Sequence, residues 1–207
     1  MISGVARTVV LASGNAGKLR ELSDMLSGVG LDLKPQSDWN VPEAVEDGLS
    51  FVENALLKAR HAAGLTGHPS IADDSGLVVP ALNGAPGIYS ARYAGPGAND
   101  HDNNRKLLEA MEGLSGHERR AYFHCAMVHI ESAQDPVPLI ASASWWGEIA
   151  RAPSGQGGFG YDPLFWLADK SCSSAQLPRE VKNAISHRGQ ATRMLLGLLE
   201  LAGGCGD

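Results

Sequence analysis

Chemistry is most readily built around Ser13-Gly14-Asn15-Ala16-Gly17-Lys18, which stands where an apolar run at residues 8–12 gives way to Leu19, Leu22, Leu26 and Val29 at helical spacing. At such a strand-to-helix junction the backbone N–H groups and the positive end of the helix dipole converge, so phosphate suits it. Gly14 and Gly17 allow close approach and Lys18 adds a point charge. A Walker A loop is excluded, because Ala12 and Leu19 stand where it needs Gly and Ser or Thr. A phosphate cradle and a merely well-capped helix both fit these residues.

Asp73-Asp74-Ser75-Gly76 follows a short apolar strand signal at residues 70–72. Adjacent carboxylates repel unless a cation, a lysine or a proton relieves them, which suggests a divalent metal site, with a solvated acidic turn as the alternative. Consecutive side chains on a strand point to opposite faces, so the two aspartates should play different parts. Upstream, Glu43, Glu46 and Asp47 form a second acidic loop that is either a source of metal ligands or simply wet.

The run Gly155-Gln156-Gly157-Gly158-Phe159-Gly160-Tyr161-Asp162-Pro163 satisfies GxGxxG literally, yet Pro163 follows where a dinucleotide-binding helix should begin, and no βαβ unit surrounds it. What remains is a loop setting Phe159 and Tyr161 beside Asp162. Two uses fit: a platform for a flat base with a carboxylate for hydrogen bonding, or burial of both rings in the core. Lys182, His187 and Arg188 gather donors ahead of the last helix, either as a clamp on phosphate and base or as a basic surface cluster. The other six histidines lack metal-ligand spacing.

These residues need elements to hold them. The patterns predict a strand at 8–12, a helix after Lys18, and a helix opened by a Ser50–Glu53 capping box with Ala55, Leu56, Ala59 and Ala63 on one side. A short strand at 70–72, a β-rich run at 76–82, a turn-rich stretch at 83–97 and a helix at 100–112 closed by Gly113 follow. Strands at 121–130 and 139–149 should pair antiparallel, and helices should open at Pro178 and span 188–201. This order suggests an α/β fold, with a mixed central β-sheet flanked by helices, in a single domain spanning 1–207. The 207 residues suit one full core, and 25 glycines with 11 prolines imply many tight turns or close approaches to a ligand. A net charge of −6 argues against a nucleic-acid surface. No segment reaches the ~20 apolar residues of a membrane span, and three separated cysteines point to a reducing, cytoplasmic setting.

Six blocks then carry a resemblance: Ser13-Gly14-Asn15 with Lys18 and Glu21, FVENALLKA at 51–59, ADDSGL at 72–77, GAPGIYSARYAG at 84–95, FGYDPLF at 159–165 and ISHRGQA at 185–191. In this order they resemble the non-canonical purine NTP pyrophosphatases, the inosine triphosphatase-like dITP/XTP diphosphatases. The resemblance implies two lobes with the nucleotide cleft between them, and a Mg2+-dependent homodimer that cleaves ITP, dITP and XTP to monophosphate and pyrophosphate. By position it implies that residues Ser13, Gly14, Asn15, Ala16, Gly17 and Lys18 hold the triphosphate. On the same basis Asp74 would be the general base and a metal ligand, with Glu46 chosen as second ligand and Glu43 in reserve. Lys58 and Asp73 match positions that in the family lie near the reaction centre, and Ser75 would contact substrate. Phe159, Gly160, Tyr161, Asp162, Lys182, His187 and Arg188 would bind base, sugar and phosphates. A related pyrophosphatase acting on modified pyrimidine or canonical dNTPs, or a non-catalytic nucleotide-binding module, would use the same residues.

Overall fold

The computed structural model describes residues 7–26 and 31–203; Val29 and Cys205 lie outside them. Strand β1 (Arg7–Leu11) carries the β-branched run and leads into helix α1 (Ala16–Met25). It pairs in parallel with β2 (Leu31–Pro35) on one side and β3 (Ser70–Val78) on the other. Helix α2 (Phe51–Thr66) precedes β3. After it come α3 (Asp100–Ala110), β4 (Arg120–Ile130), β5 (Leu139–Ile149), β6 (Phe165–Leu167), β7 (Cys172–Ser173), α4 (Arg179–Ile185) and α5 (His187–Gly203). The strands form one mixed sheet in the order β2-β1-β3-β4-β5-β6-β7, and β5–β6 and β6–β7 are antiparallel. Among the described residues no helix is long and apolar enough to cross a membrane.

The chain divides into two compact units. The first comprises Met1–Asp74, Ala126–Ser142 and Ala191–Asp207, and in it Val10 and Ala12 pack with Ala72, Val128, Ile130 and the alanine side of α2. Ala55, Ala59, Ala62 and Ala63 are small enough to bring that helix close to the strands. The second unit, Ser75–Cys125 with Ala143–Gln190, is aromatic: Phe123, Trp145, Tyr161 and Phe165 pack with Leu77, Leu107, Met111 and Ile149. Trp145 is core while its neighbour Trp146 stands half exposed against Tyr122, the alternation a strand imposes.

Five elements differ from the sequence expectation. The acidic pair does not end a strand: β3 runs unbroken from Ser70 to Val78 with Asp73 and Asp74 in its middle, because lysines neutralise both. Helix α3 stops at Ala110, before Gly113, and Arg119 takes the freed carbonyls, donating to Met111 and Leu114 as well as to Ile149 and Ala150. Strands β2, β6 and β7 escaped prediction, since β2 is half-buried throughout and the other two have three residues and two.

Near the end of β4, His129 is 4% exposed. Burial holds its pKa below the ordinary histidine range against the raising pull of Glu131 and Asp135, while Arg7 assists the burial. The unfolded chain therefore takes up this proton first. The contribution to stability is complete above the unfolded value of about 6.5 and is lost as pH falls through the lower folded value. Urea midpoints measured from about pH 8 down to about pH 5 should decline below pH ~6.5, and His129→Gln should flatten that decline.

Candidate active site

In the first unit, the N–H of Ala12 donates to the carbonyl of Ile71 at 2.8 Å, which sets the exit of β1 beside the stretch of β3 that holds the acids. Asn15 caps α1, its side chain accepting from the N–H groups of Gly17 at 2.9 Å and Lys18 at 3.0 Å. One turn into this helix, Lys18 Nζ lies 3.2 Å from Asp73 Oδ2. Helix α2 delivers the second lysine. Ser50 caps it, Glu53 accepts from the Leu49 N–H and the Ser50 hydroxyl, and Lys58 projects onto Asp74 at 2.7 Å and Glu46 at 3.2 Å. The two aspartates thus answer to different lysines, as strand alternation requires.

The charge balance here is tight. Burial pushes the Asp74 carboxyl up, and Lys58 and Lys18 offset only part of that rise. Burial works against the Lys58 ammonium too, but Asp74, Asp73 and Glu46 outweigh it and hold Lys58 above the ordinary lysine range. Two carboxylates sharing one lysine are a donor set that suits Mg2+, which usually takes one or two protein carboxylates and fills its other positions with substrate and water oxygens. Among the described residues no group of three or more His, Cys, Asp or Glu gathers as a protein-only metal cage. Glu43, the reserve ligand, lies against the turn before α1: a Cβ on Gly14 would fall 2.2 Å from its Oε1.

The second unit holds a cluster of its own, centred on Asp162. Its carboxylate accepts from the Phe159 N–H at 2.9 Å, from Lys182 Nζ at 2.6 Å and from the Ser174 hydroxyl. Gly158, at φ +74°, leaves room for it, since a Cβ there would fall 2.0 Å from Asp162 Oδ2. Lys182 Nζ and the Arg188 guanidinium lie 5.0 and 5.7 Å from the centroid of the Phe159 ring. Arg188 is 2% exposed and donates to Ser75 Oγ at 2.8 Å. His187 stacks on Phe123 with ring centroids 4.8 Å apart.

The structure therefore brings Lys18, Lys58, Asp73, Asp74 and Glu46 together, with Ser13, Gly14 and Asn15 in the turn that precedes α1. Ala16 opens the helix and Gly17 follows. Separately it gathers Ser75, Phe159, Asp162, Lys182 and Arg188. Lys182, His187 and Arg188 are buried, which rules out the basic surface cluster. Of the two rings proposed as a base platform, only Phe159 is partly exposed; Tyr161 is core, its hydroxyl donating to the Ser90 carbonyl. Asp162 is buried and occupied within its own loop. Gly160 links the two rings at φ +62°. Sequence reasoning missed Asn54, which is fully buried on α2, accepts from the Gly48 N–H at 2.9 Å and has its amide 3.5 Å from Asp74 Oδ2. The available signal was a polar residue on the alanine side of the helix.

A mixed α/β sheet with a strand–turn–helix junction beside paired carboxylates and lysines defines a protein of the phosphate-handling class. The Ham1 family matches residues 9–198, and the chain belongs to that family. It is 57% identical over 192 residues to the dITP/XTP pyrophosphatase of Thioalkalivibrio sulfidiphilus, covering 93% of this chain and 98% of that protein. The structure of a Ham1 protein from Coxiella burnetii is similar with a TM-score of 0.88 at 48% identity, covering 94% of this chain and 99% of the other. The Staphylococcus aureus Ham1 protein gives a TM-score of 0.84 at 38% identity, covering 95% and 100%.

Removing Lys58 leaves two carboxylates, Asp74 and Glu46, without their shared cation. Lys58→Met should cost about 3 kcal/mol in urea unfolding at neutral pH, the scale for breaking a buried pair. Lys58→Met combined with Asp74→Asn should cost clearly less than the two single changes added together. Strict additivity would mean that the pair is not energetically coupled.

Proposed function

We propose that this chain hydrolyses non-canonical purine nucleoside triphosphates, ITP, dITP and XTP, to the monophosphate and pyrophosphate, and so clears deaminated purines from the nucleotide pool. The observation that carries the reading is Lys58 held between Asp74 and Glu46, beside the Lys18–Asp73 pair at the mouth of a strand–turn–helix junction. The high identity to a dITP/XTP pyrophosphatase over nearly the whole chain supports it. On this reading residues 1–207 form one pyrophosphatase domain that works in the cytoplasm as a homodimer.

Lys18 and the turn residues Ser13, Gly14 and Asn15 take the phosphates, which are drawn to the positive end of α1. Asp74 accepts the proton of a water as the water oxygen bonds to the α-phosphorus. The bond from that phosphorus to the oxygen bridging to the β-phosphate breaks, and pyrophosphate departs with the electron pair. Burial makes Asp74 a stronger proton acceptor than an ordinary carboxylate, and Lys58 keeps it in place. Asp74 and Glu46 would hold Mg2+, which when bound neutralises charge developing on the phosphate oxygens. Lys58 counters the repulsion between these carboxylates before the metal arrives.

Phe159 offers its ring to the purine, and Arg188 and His187 supply N–H donors. A 6-keto purine presents an acceptor where adenine presents an amino donor, so donors at that edge favour hypoxanthine and xanthine. The test is product analysis with ITP and Mg2+. The wild-type chain should yield IMP and pyrophosphate, and IDP with phosphate would overturn the reading. Turnover of ITP, dITP and XTP should exceed that of ATP. Asp74→Asn should lower kcat by roughly 10² to 10⁴ with the fold retained by circular dichroism, the usual range for loss of a general base.

A further inference from the structure

Helix α3 grips residue 160 from both sides. Asp100 Oδ2 accepts from the Gly160 N–H at 2.6 Å, and Asn104 Nδ2 donates to the Gly160 carbonyl at 2.9 Å. The two side chains lie four residues apart, one turn along the same helix face. Gly160 sits at φ +62°, and a Cβ on it would meet nothing within 4 Å. Glycine is needed there for conformation and not for space, and a glycine left to itself samples other conformations freely.

The helix that does the gripping is well anchored. Asn99 and Asp102 cap it reciprocally, Asn103 accepts from the Ala94 N–H and donates to the Ala91 carbonyl, and Leu107 lies in the aromatic core. On either side of Gly160 the loop is tied through Asp162 to the Phe159 N–H and through the Tyr161 hydroxyl to Ser90. Residue 160 joins the half-buried ring of Phe159 to the core ring of Tyr161, so its backbone torsions set the direction in which Phe159 faces.

We infer that Asp100 and Asn104 are positioning residues: by fixing both polar groups of Gly160 they aim Phe159 at the purine base without touching the substrate. The inference rests on the proposed reading of the Phe159 loop as the base-binding segment. Asp100 acts as a charged acceptor, the stronger kind, and Asn104 as a donor that no carboxylate can replace.

Steady-state kinetics on ITP with Mg2+ test this. Asp100→Ala and Asn104→Ala should each raise KM about tenfold with kcat within about twofold, the pattern of lost binding away from the reacting atoms. Asp100→Asn, which keeps an acceptor oxygen, should recover most of the loss, whereas Asn104→Asp should match Asn104→Ala. Hydrogen exchange at the Gly160 amide should accelerate in Asp100→Ala, which a purely helix-stabilising role would not produce. Wild-type protein that does not cleave ITP would refute the proposed activity. Active wild type with unchanged KM and unchanged Gly160 exchange in folded Asp100→Ala would refute the positioning role. If Asp100→Ala does not fold, the Asn104 pair decides: unchanged KM in both variants refutes the positioning role, and a matched rise supports it.

Discussion

Two consecutive carboxylates inside a strand are the constraint on which the site depends. Asp73 and Asp74 are buried in the middle of β3, where an unpaired charge would carry a prohibitive desolvation cost. Each needs its own cation, because the pleat sends them to opposite sides. The parallel pairing of β1 with β3 satisfies one by placing α1 so that Lys18 meets Asp73, and α2 satisfies the other with Lys58. The arrangement is electrostatically incomplete in a useful way. Lys58 is shared between Asp74 and Glu46, so two carboxylates face one lysine at that point, and the proposed reading places a divalent cation there.

The same logic, run with one acid in place of two, organises the second cluster. Asp162 is the hub of a glycine-rich loop whose backbone N–H, hydroxyl and ammonium partners all converge on one carboxylate. Lys182 therefore belongs to the loop's own framework as much as to any ligand. Its ammonium faces the Phe159 ring as well as the Asp162 carboxylate, so the group that stabilises the loop also sets the charge beside that aromatic surface. Arg188, fixed through Ser75, reinforces that cationic edge.

The proposed polyanionic substrate does not conflict with a net charge of −6. Surface charges farther away than about 8 Å are largely screened at physiological salt, so local composition governs. Lys18, Lys58, Lys182 and Arg188 are all at least half-buried and close to their partners, where screening is weak. Part of the acidic excess, Asp73, Asp74 and Glu46, is itself paired with Lys18 and Lys58.

The residues that could do chemistry were legible in the linear chain, because they come in contiguous blocks whose types are costly to place together without a use: adjacent aspartates, a glycine-bounded turn ending in lysine, glycines around two rings. Helices α2 and α3 were readable from caps and apolar spacing, which are local properties. What the sequence could not reveal was which charge answers which. Lys58 and Asp74 are 16 residues apart and Asp162 and Lys182 are 20 apart, and only tertiary packing decides that they meet. The continuity of β3 through its acids depended on such meetings, and so did the place of Asp162 at the centre of its own loop. Residue type is fixed along the chain, but the energy of a buried charge depends on its distance from an opposite one, and that distance exists only once the chain has folded.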